Sequence, residues 1–403
     1  MISKFRIYLC IYLAITIFSG FIYFTDHLNL SDVGHSNYIL SQADSDIPWP
    51  TNEWTFSDAK SENMNETILD EMESYIDTYI TALDSIIIIR NDKIVQEKYY
   101  NNYNHNQYHH IWSCTKSVTS LLIGIAFQQG YLSSLDQKVL DFFSNHEFEN
   151  VDDRKENMTL RHLLTMTTGI NWTEDLDILA EMQLSIDPVG FMLNRSMIAE
   201  PGTVFQYNTG VSHLLSRILH ITTGKTPLVF ANEFLFNPLG ILINDIYWEV
   251  DRDNIQLGGT KLYLRPRDMA KIGLLCLHNG TWNDQQIVPK DWVLETTKTQ
   301  FIYYDQGQET HYGYHWWIQY DIHGYCAFGH LGQLIFNVPD KNLIIVTTST
   351  GHYPFDLIYD YILPAVLEDT EDNSILGYEL ITFLSISTLF TIGLIYIYKK
   401  RLT

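Results

Sequence analysis

Strand signals at both ends of the chain, with a long helical pattern between them, restrict its possible folds more than any other feature. Ser85–Arg90 and Lys93–Tyr99 are β-branched runs around Asn91-Asp92, and predict a β-hairpin. Tyr325–Val338 and Leu343–Ser349 flank Pro339-Asp340-Lys341-Asn342 and predict a second one. Between them, residues 113 to 300 read as mainly helical, broken by turn clusters such as Thr167-Thr168-Gly169 and Pro201-Gly202-Thr203. Met64–Ala82 reads as an amphipathic helix, and Tyr353–Val366 as a last helix broken near Pro364. Strands that lie far apart in sequence and must pair predict an α+β domain. One antiparallel sheet is formed by both ends of the domain and flanked by helices, and a helical subdomain is inserted in the middle. A functional site belongs where the two parts meet.

Two apolar runs stand outside that domain. Ile7–Phe24 follows Lys4 and Arg6, and Leu380–Tyr398 precedes Lys399-Lys400-Arg401. Each is about long enough to cross a bilayer core. The expected organisation is a signal anchor or signal peptide over 1–24, a polar acidic tether over 25–64, and a folded domain over 65–370. A linker over 371–379, a transmembrane helix over 380–398 and a cytoplasmic tail over 399–403 follow. Both basic clusters favour the cytoplasm, which places the domain on the extracytoplasmic side of the cell membrane.

The formal net charge of −23 becomes more negative still once the five cations flanking the apolar runs are set aside. Such a field repels nucleic acid and leaves a small molecule and the membrane as the expected partners. Cys114, Cys276 and Cys326 are too few for a disulfide framework, although one bridge between Cys276 and Cys326 is compatible with the sequence. Asn-x-Ser/Thr tripeptides begin at Asn29, Asn65, Asn157, Asn171, Asn194 and Asn279, as suits an exported glycoprotein. Oligomeric state leaves no trace in the sequence.

Chemistry enters at Ser113-Cys114-Thr115-Lys116, which opens the apolar run Val118 to Phe127. On a helix, positions three apart share a face, so the Ser113 hydroxyl lies within reach of the Lys116 amine. A serine becomes a nucleophile when a neighbouring base takes its proton, and a lysine with a depressed pKa can be that base. The spacing alone is cheap: Ser57-Asp58-Ala59-Lys60 repeats it in a polar stretch and reads as chance. The bland alternative for Ser113 is a helix N-cap beside a solvated lysine.

Further segments supply what such a pair needs. Tyr207 stands where Pro201-Gly202-Thr203 leads into the apolar helix Val211–Ile221, so its phenol can relay a proton. Gly329-His330-Leu331-Gly332-Gln333 reads as part of the late strand, where glycine permits close approach and the following amide can serve an oxyanion. Leu160–Gly169 carries no evident chemistry. No His-Glu-x-x-His or paired-Cys set calls for a metal, and Ser–Lys chemistry needs no cofactor.

Taken in order, these segments resemble the penicillin-recognising serine hydrolases: class C β-lactamases, D-alanyl-D-alanine carboxypeptidases, related esterases and aminohexanoate-oligomer hydrolases. Supporting matches are Ile111–Ser117, Leu160–Gly169, Gly258-Gly259-Thr260-Lys261-Leu262-Tyr263, Pro266–Ala270 and Tyr312–Trp317. The likeness covers residues 80 to 365 and implies a β-lactamase/transpeptidase-like fold. It implies Ser113 as acylated nucleophile, Lys116 as its base or the organiser of its base, and Tyr207 as proton relay. It sets His330-Leu331-Gly332 in the place of the strand motif Lys-Thr-Gly, with the Gln333 amide completing an oxyanion hole. Two departures bear on substrate. Tyr207-Asn208-Thr209 stands where Tyr-x-Asn is usual, so the substrate-holding amide is either replaced by the Thr209 hydroxyl or displaced by one residue, to Asn208. His330 replaces a lysine that would hold a substrate carboxylate. Both favour a small ester or amide as substrate over a β-lactam. The alternatives are a D-Ala peptidase or β-lactamase-like hydrolase, and a catalytically inactive binding or sensor protein of the same fold.

Overall fold

A computed structural model describes residues 48–367. The expected membrane segments, linker and cytoplasmic tail lie outside the described residues, as do residues 25–47 of the expected tether. Among the described residues no helix is long and apolar enough to cross a membrane.

The structure has the β-lactamase/transpeptidase-like α+β architecture expected from the sequence. Eight strands form the main sheet: β1 (Leu83–Arg90), β2 (Lys93–Tyr99), β3 (Phe301–Asp305), β4 (Gln308–Tyr312), β5 (Trp317–Gln319), β6 (Gly324–Gly329), β7 (Gln333–Val338) and β8 (Leu343–Ser349). Their order is β2-β1-β8-β7-β6-β5-β4-β3, and every pairing is antiparallel. The first and last strands therefore meet in the sheet, with Ile87 opposite Val346.

The four isoleucines Ile86–Ile89 show why β1 is central. Side chains alternate across a strand, so Ile87 and Ile89 join the core under the helical part while Ile86 and Ile88 join the one on the opposite face. Both faces are covered, and the strand reads as a continuous apolar run. Helix α1 (Glu66–Tyr79) covers the second face with Leu69, Met72 and Ile76, and Asn65 caps it by accepting from the Thr67 N–H at 3.0 Å.

Helix α2 (Cys114–Gln128) is buried from Cys114 to Ala126, as a helix apolar on all sides must be. Gly124 lets it touch Trp292, whose ring lies 2.3 Å from where a Cβ would sit. Helices α3 (Leu176–Leu184) and α4 (Thr209–Thr223) frame the site, and α5 (Pro266–Leu277) packs on β8, β7 and β1. The Asn208 side chain caps α4 by accepting from the Val211 N–H, and Gly224 ends it at φ 69°.

Several expectations need correction. The run Tyr325–Val338 is two strands, not one. Gly329 pairs with Gln333, and His330–Gly332 form the turn between them, with Leu331 at φ 64° and Gly332 at φ 95°. The segment 301–319 adds three strands to the sheet, and the last helix is a series of short pieces from Phe355 to Ala365. No Cys276–Cys326 bridge forms: Cys114, Cys276 and Cys326 are buried free thiols. Residues 48–64 are no free tether. Trp54 is buried, and the Ile94 N–H donates to the Thr55 carbonyl while the Ser57 N–H donates to the Ile94 carbonyl, covering the edge of β2. Where the domain closes, the Asn65 N–H donates to the Ala365 carbonyl (2.7 Å) and the Leu367 N–H to the Asn63 carbonyl (2.9 Å).

Candidate active site

Ser113 stands at the N-cap of α2, directly after Trp112, which is held at φ 48°. That backbone is costly for an aromatic residue and turns the chain sharply at the mouth of a cavity. The turn is secured by the Thr115 hydroxyl, which donates to the Trp112 carbonyl at 2.6 Å. The end of β6 presses on the same turn. A Cβ on Gly329 would lie 2.5 Å from the Ile111 carbonyl oxygen and 3.1 Å from Trp112 Cβ, so only glycine fits.

Lys116 lies one turn further along α2, almost fully buried. Its Nζ is 2.9 Å from Ser113 Oγ, 2.7 Å from Thr209 Oγ1 and 2.9 Å from the Gly259 carbonyl oxygen. Gly259 can approach because both glycines of its pair lie flat on α4: a Cβ on Gly258 would lie 2.2 Å from the Ser212 carbonyl oxygen. Burial pushes the Lys116 amine down from 10.5 to about 8, while Glu174 and Cys114 pull it the other way.

Tyr207 completes the group. The Lys116 Nζ lies 4.7 Å from its ring centroid, and the ring stacks on Trp317 at 5.7 Å. Burial holds the phenol well above its ordinary value, against a hydrogen bond with Ser113 that lowers it. The phenol is therefore a proton donor at neutral pH. Ser113 and Tyr207 line a cavity of about 350 Å³ whose walls include Trp112, Glu174, Thr209, Trp317, Gly329 and His330, and Lys116 lies buried behind Ser113.

Of the residues expected from sequence, the structure brings Ser113, Lys116, Tyr207, Thr209 and His330 to this place. Thr209 differs in its partners: its hydroxyl accepts from Lys116 and donates to Glu174. The His330 ring is exposed and meets Trp112 edge-on, 5.0 Å between centroids. Gln333 and Gly332 do not line the cavity. The buried Gln333 side chain turns away and donates to the Ser349 carbonyl, and Gly332 serves the turn, where a Cβ would strike the His352 carbonyl. The reason is the turn itself, which ends the cavity wall at His330.

Glu174 is the residue that sequence reasoning missed. Its carboxylate accepts from the Thr209 N–H (2.9 Å), the Thr209 hydroxyl and the Trp172 indole N–H (2.7 Å). Nothing in Glu174-Asp175-Leu176-Asp177, one acidic stretch among many, marks it out. Its neighbour Asp175 spends its carboxylate capping α3.

Comparison with known proteins matches residues 76–367 to the family described as Beta-lactamase. The chain is 21% identical over 296 residues to the 6-aminohexanoate-dimer hydrolase of Paenarthrobacter ureafaciens, covering 68% of this chain and 74% of that one. Among solved structures it is similar to a penicillin-binding protein homologue from Caulobacter crescentus, with TM-score 0.58 and 13% identity, over 74% of this chain and 93% of that one. It is similar also to a family VIII carboxylesterase, with TM-score 0.58 and 15% identity, over 73% and 93%.

Proposed function

The chain belongs to the Beta-lactamase family and is a serine hydrolase, and from that premise we propose that it cleaves a small ester or amide through an acyl-enzyme on Ser113. The observation that carries this reading is the 2.9 Å contact between Ser113 Oγ and a buried Lys116 amine whose pKa is pushed down to about 8. Ser113 Oγ attacks the substrate carbonyl carbon, and its proton passes to Lys116. The Ser113 amide, at the N-cap of α2, serves the developing oxyanion. As the carbonyl re-forms, the bond to the leaving group breaks, and the leaving group takes a proton from the Tyr207 phenol. Lys116 then returns its proton to the Tyr207 oxygen, which restores the neutral amine and the phenol. Water attacks the acyl-enzyme carbonyl and gives a proton to Lys116, and as the bond to Ser113 Oγ breaks Lys116 hands that proton to Oγ, releasing the acid and free Ser113.

The cavity walls bear on substrate class. Glu174 and Asp175 line them and no Lys or Arg does, which disfavours a substrate carboxylate of the kind β-lactams carry. This supports an uncharged or cationic ester or amide, in keeping with the names of the aminohexanoate-dimer hydrolase and the carboxylesterase. The apolar runs Ile7–Phe24 and Leu380–Tyr398 with their basic flanks support a membrane-anchored enzyme acting outside the cytoplasm.

A fluorophosphonate probe tests the nucleophile: it labels the wild-type chain and not Ser113→Ala. Labelling that persists in the variant removes Ser113 from the role. A panel of p-nitrophenyl esters, nitrocefin and D-amino-acid amides then tests the substrate class, and nitrocefin turnover equal to ester turnover overturns it. Inertness towards the whole panel would favour a binding or sensor protein of the same fold.

A further inference from the structure

We infer that Glu174 is a positioning residue that acts through Thr209 to aim the Lys116 lone pair at Ser113, an inference that rests on the reading of Ser113 and Lys116 as nucleophile and base. A threonine hydroxyl has one hydrogen, and Thr209 gives it to Glu174 Oε1. The Thr209 oxygen can then only accept from Lys116 Nζ, 2.7 Å away. The Gly259 carbonyl, at 2.9 Å, also can only accept.

A neutral lysine amine has two N–H bonds and one lone pair. Thr209 and Gly259 take both hydrogens, so the lone pair points to the remaining neighbour, Ser113 Oγ at 2.9 Å. That is the arrangement in which an amine removes a hydroxyl proton. Glu174 sets it at the Thr209 corner and is itself fixed by the Thr209 and Trp172 N–H groups. Without the carboxylate, the Thr209 hydroxyl is free to turn and donate to the Lys116 lone pair, in competition with Ser113.

The titratable groups that face Lys116 are Glu174, Cys114, His315 and Tyr207. Burial raises the Cys114 thiol and the Tyr207 phenol and lowers His315 to about 3, so these three are uncharged at neutral pH. Changing Glu174 therefore alters the field at Lys116 through one group. Since Glu174 raises the Lys116 pKa, its loss moves the acid limb of the rate profile to lower pH.

The test compares Glu174→Gln, Thr209→Val, Thr209→Ser and the double variant E174Q/T209V in the full chain, by kcat and KM across pH with a p-nitrophenyl ester. Glu174→Gln and Thr209→Val each lower kcat by about tenfold or more with little change in KM. The double variant is no worse than either single one, and Thr209→Ser keeps wild-type kcat. The acid limb shifts down in Glu174→Gln and stays in Thr209→Val. If Glu174→Gln proves unstable, Thr209→Val against Thr209→Ser decides alone. Wild-type kcat in Thr209→Val, additive losses in the double variant, or an unshifted limb in a folded Glu174→Gln overturns the inference. Full activity in Ser113→Ala would instead overturn the reading beneath it.

Discussion

Raising the pH from about 6 to about 9 should switch this enzyme on in a way set by one buried amine. Lys116 must be neutral to accept the Ser113 proton, and burial lowers its pKa from 10.5 to about 8. The shift corresponds to about 3 kcal/mol against the charged form. At about pH 7 roughly a tenth of the amine is neutral, where an ordinary lysine would offer a few parts in ten thousand. Below about pH 8, kcat/KM should therefore fall about tenfold per pH unit. No alkaline limb should follow up to about pH 10, since the Tyr207 phenol is held well above its ordinary value and stays a donor. The assay is kcat/KM for a p-nitrophenyl ester across that range, corrected for background hydrolysis. A flat profile, or an acid limb in the carboxylate range, would refute Lys116 as the base.

Three further outcomes follow from packing and burial. Gly329→Ala places a Cβ 2.5 Å from the Ile111 carbonyl oxygen, and should cost about 1–3 kcal/mol in a denaturant melt and about a hundredfold in kcat by displacing the nucleophile turn; wild-type kinetics would show that the strand end does not set Ser113. Buried Asp251 joins His213 Nε2 at 2.9 Å and Arg217 Nε at 3.0 Å, so Asp251→Asn should lower stability by about 3–5 kcal/mol, and calorimetry showing no change in Tm would contradict it. Burial lowers His109 to about 4 and His110 and His315 to about 3. Folding keeps these rings neutral while the unfolded chain protonates them below about pH 6.5, so stability is intact above that pH and should fall by about 3 kcal/mol between about pH 6 and pH 5. Urea midpoints that do not move across that interval would refute it.

The β1–β2 hairpin and the turn into β8 were legible because their strands announce themselves, while the three strands of 301–319 carry no such signal. Asn91-Asp92 and Pro339–Asn342 are turns by composition, and the isoleucine run of β1 can only be buried. The Ser113–Lys116 pair was legible from helical spacing, whereas the close approach of Gly258-Gly259 to α4 and Lys116 emerged only in the fold. The His330–Gly332 turn was not, since it needs Leu331 at positive φ, which a leucine seldom adopts and no composition rule signals. Glu174 escaped for a different reason: its importance lies in three donors brought from Trp172 and Thr209, and contacts of that kind exist only after folding. The aromatic residues Trp49, Trp54 and Phe56 were the overlooked sign that 48–64 is attached to the domain.

The hydrogen bonds that join 63–65 to 365–367 give the domain a clasp. Because the two segments run antiparallel, a pull that separates Asn63 from Leu367 loads the bonds one after another, as in a zipper. On the N-terminal side the load first meets the bonds of Thr55 and Ser57 to Ile94, which hold residues 48–62 on the edge of β2. A domain pulled at residues 48 and 367 would yield first along these short edge contacts, at low force. Single-molecule stretching should show gradual yielding there, and an abrupt high-force rupture would mean that the load takes another path.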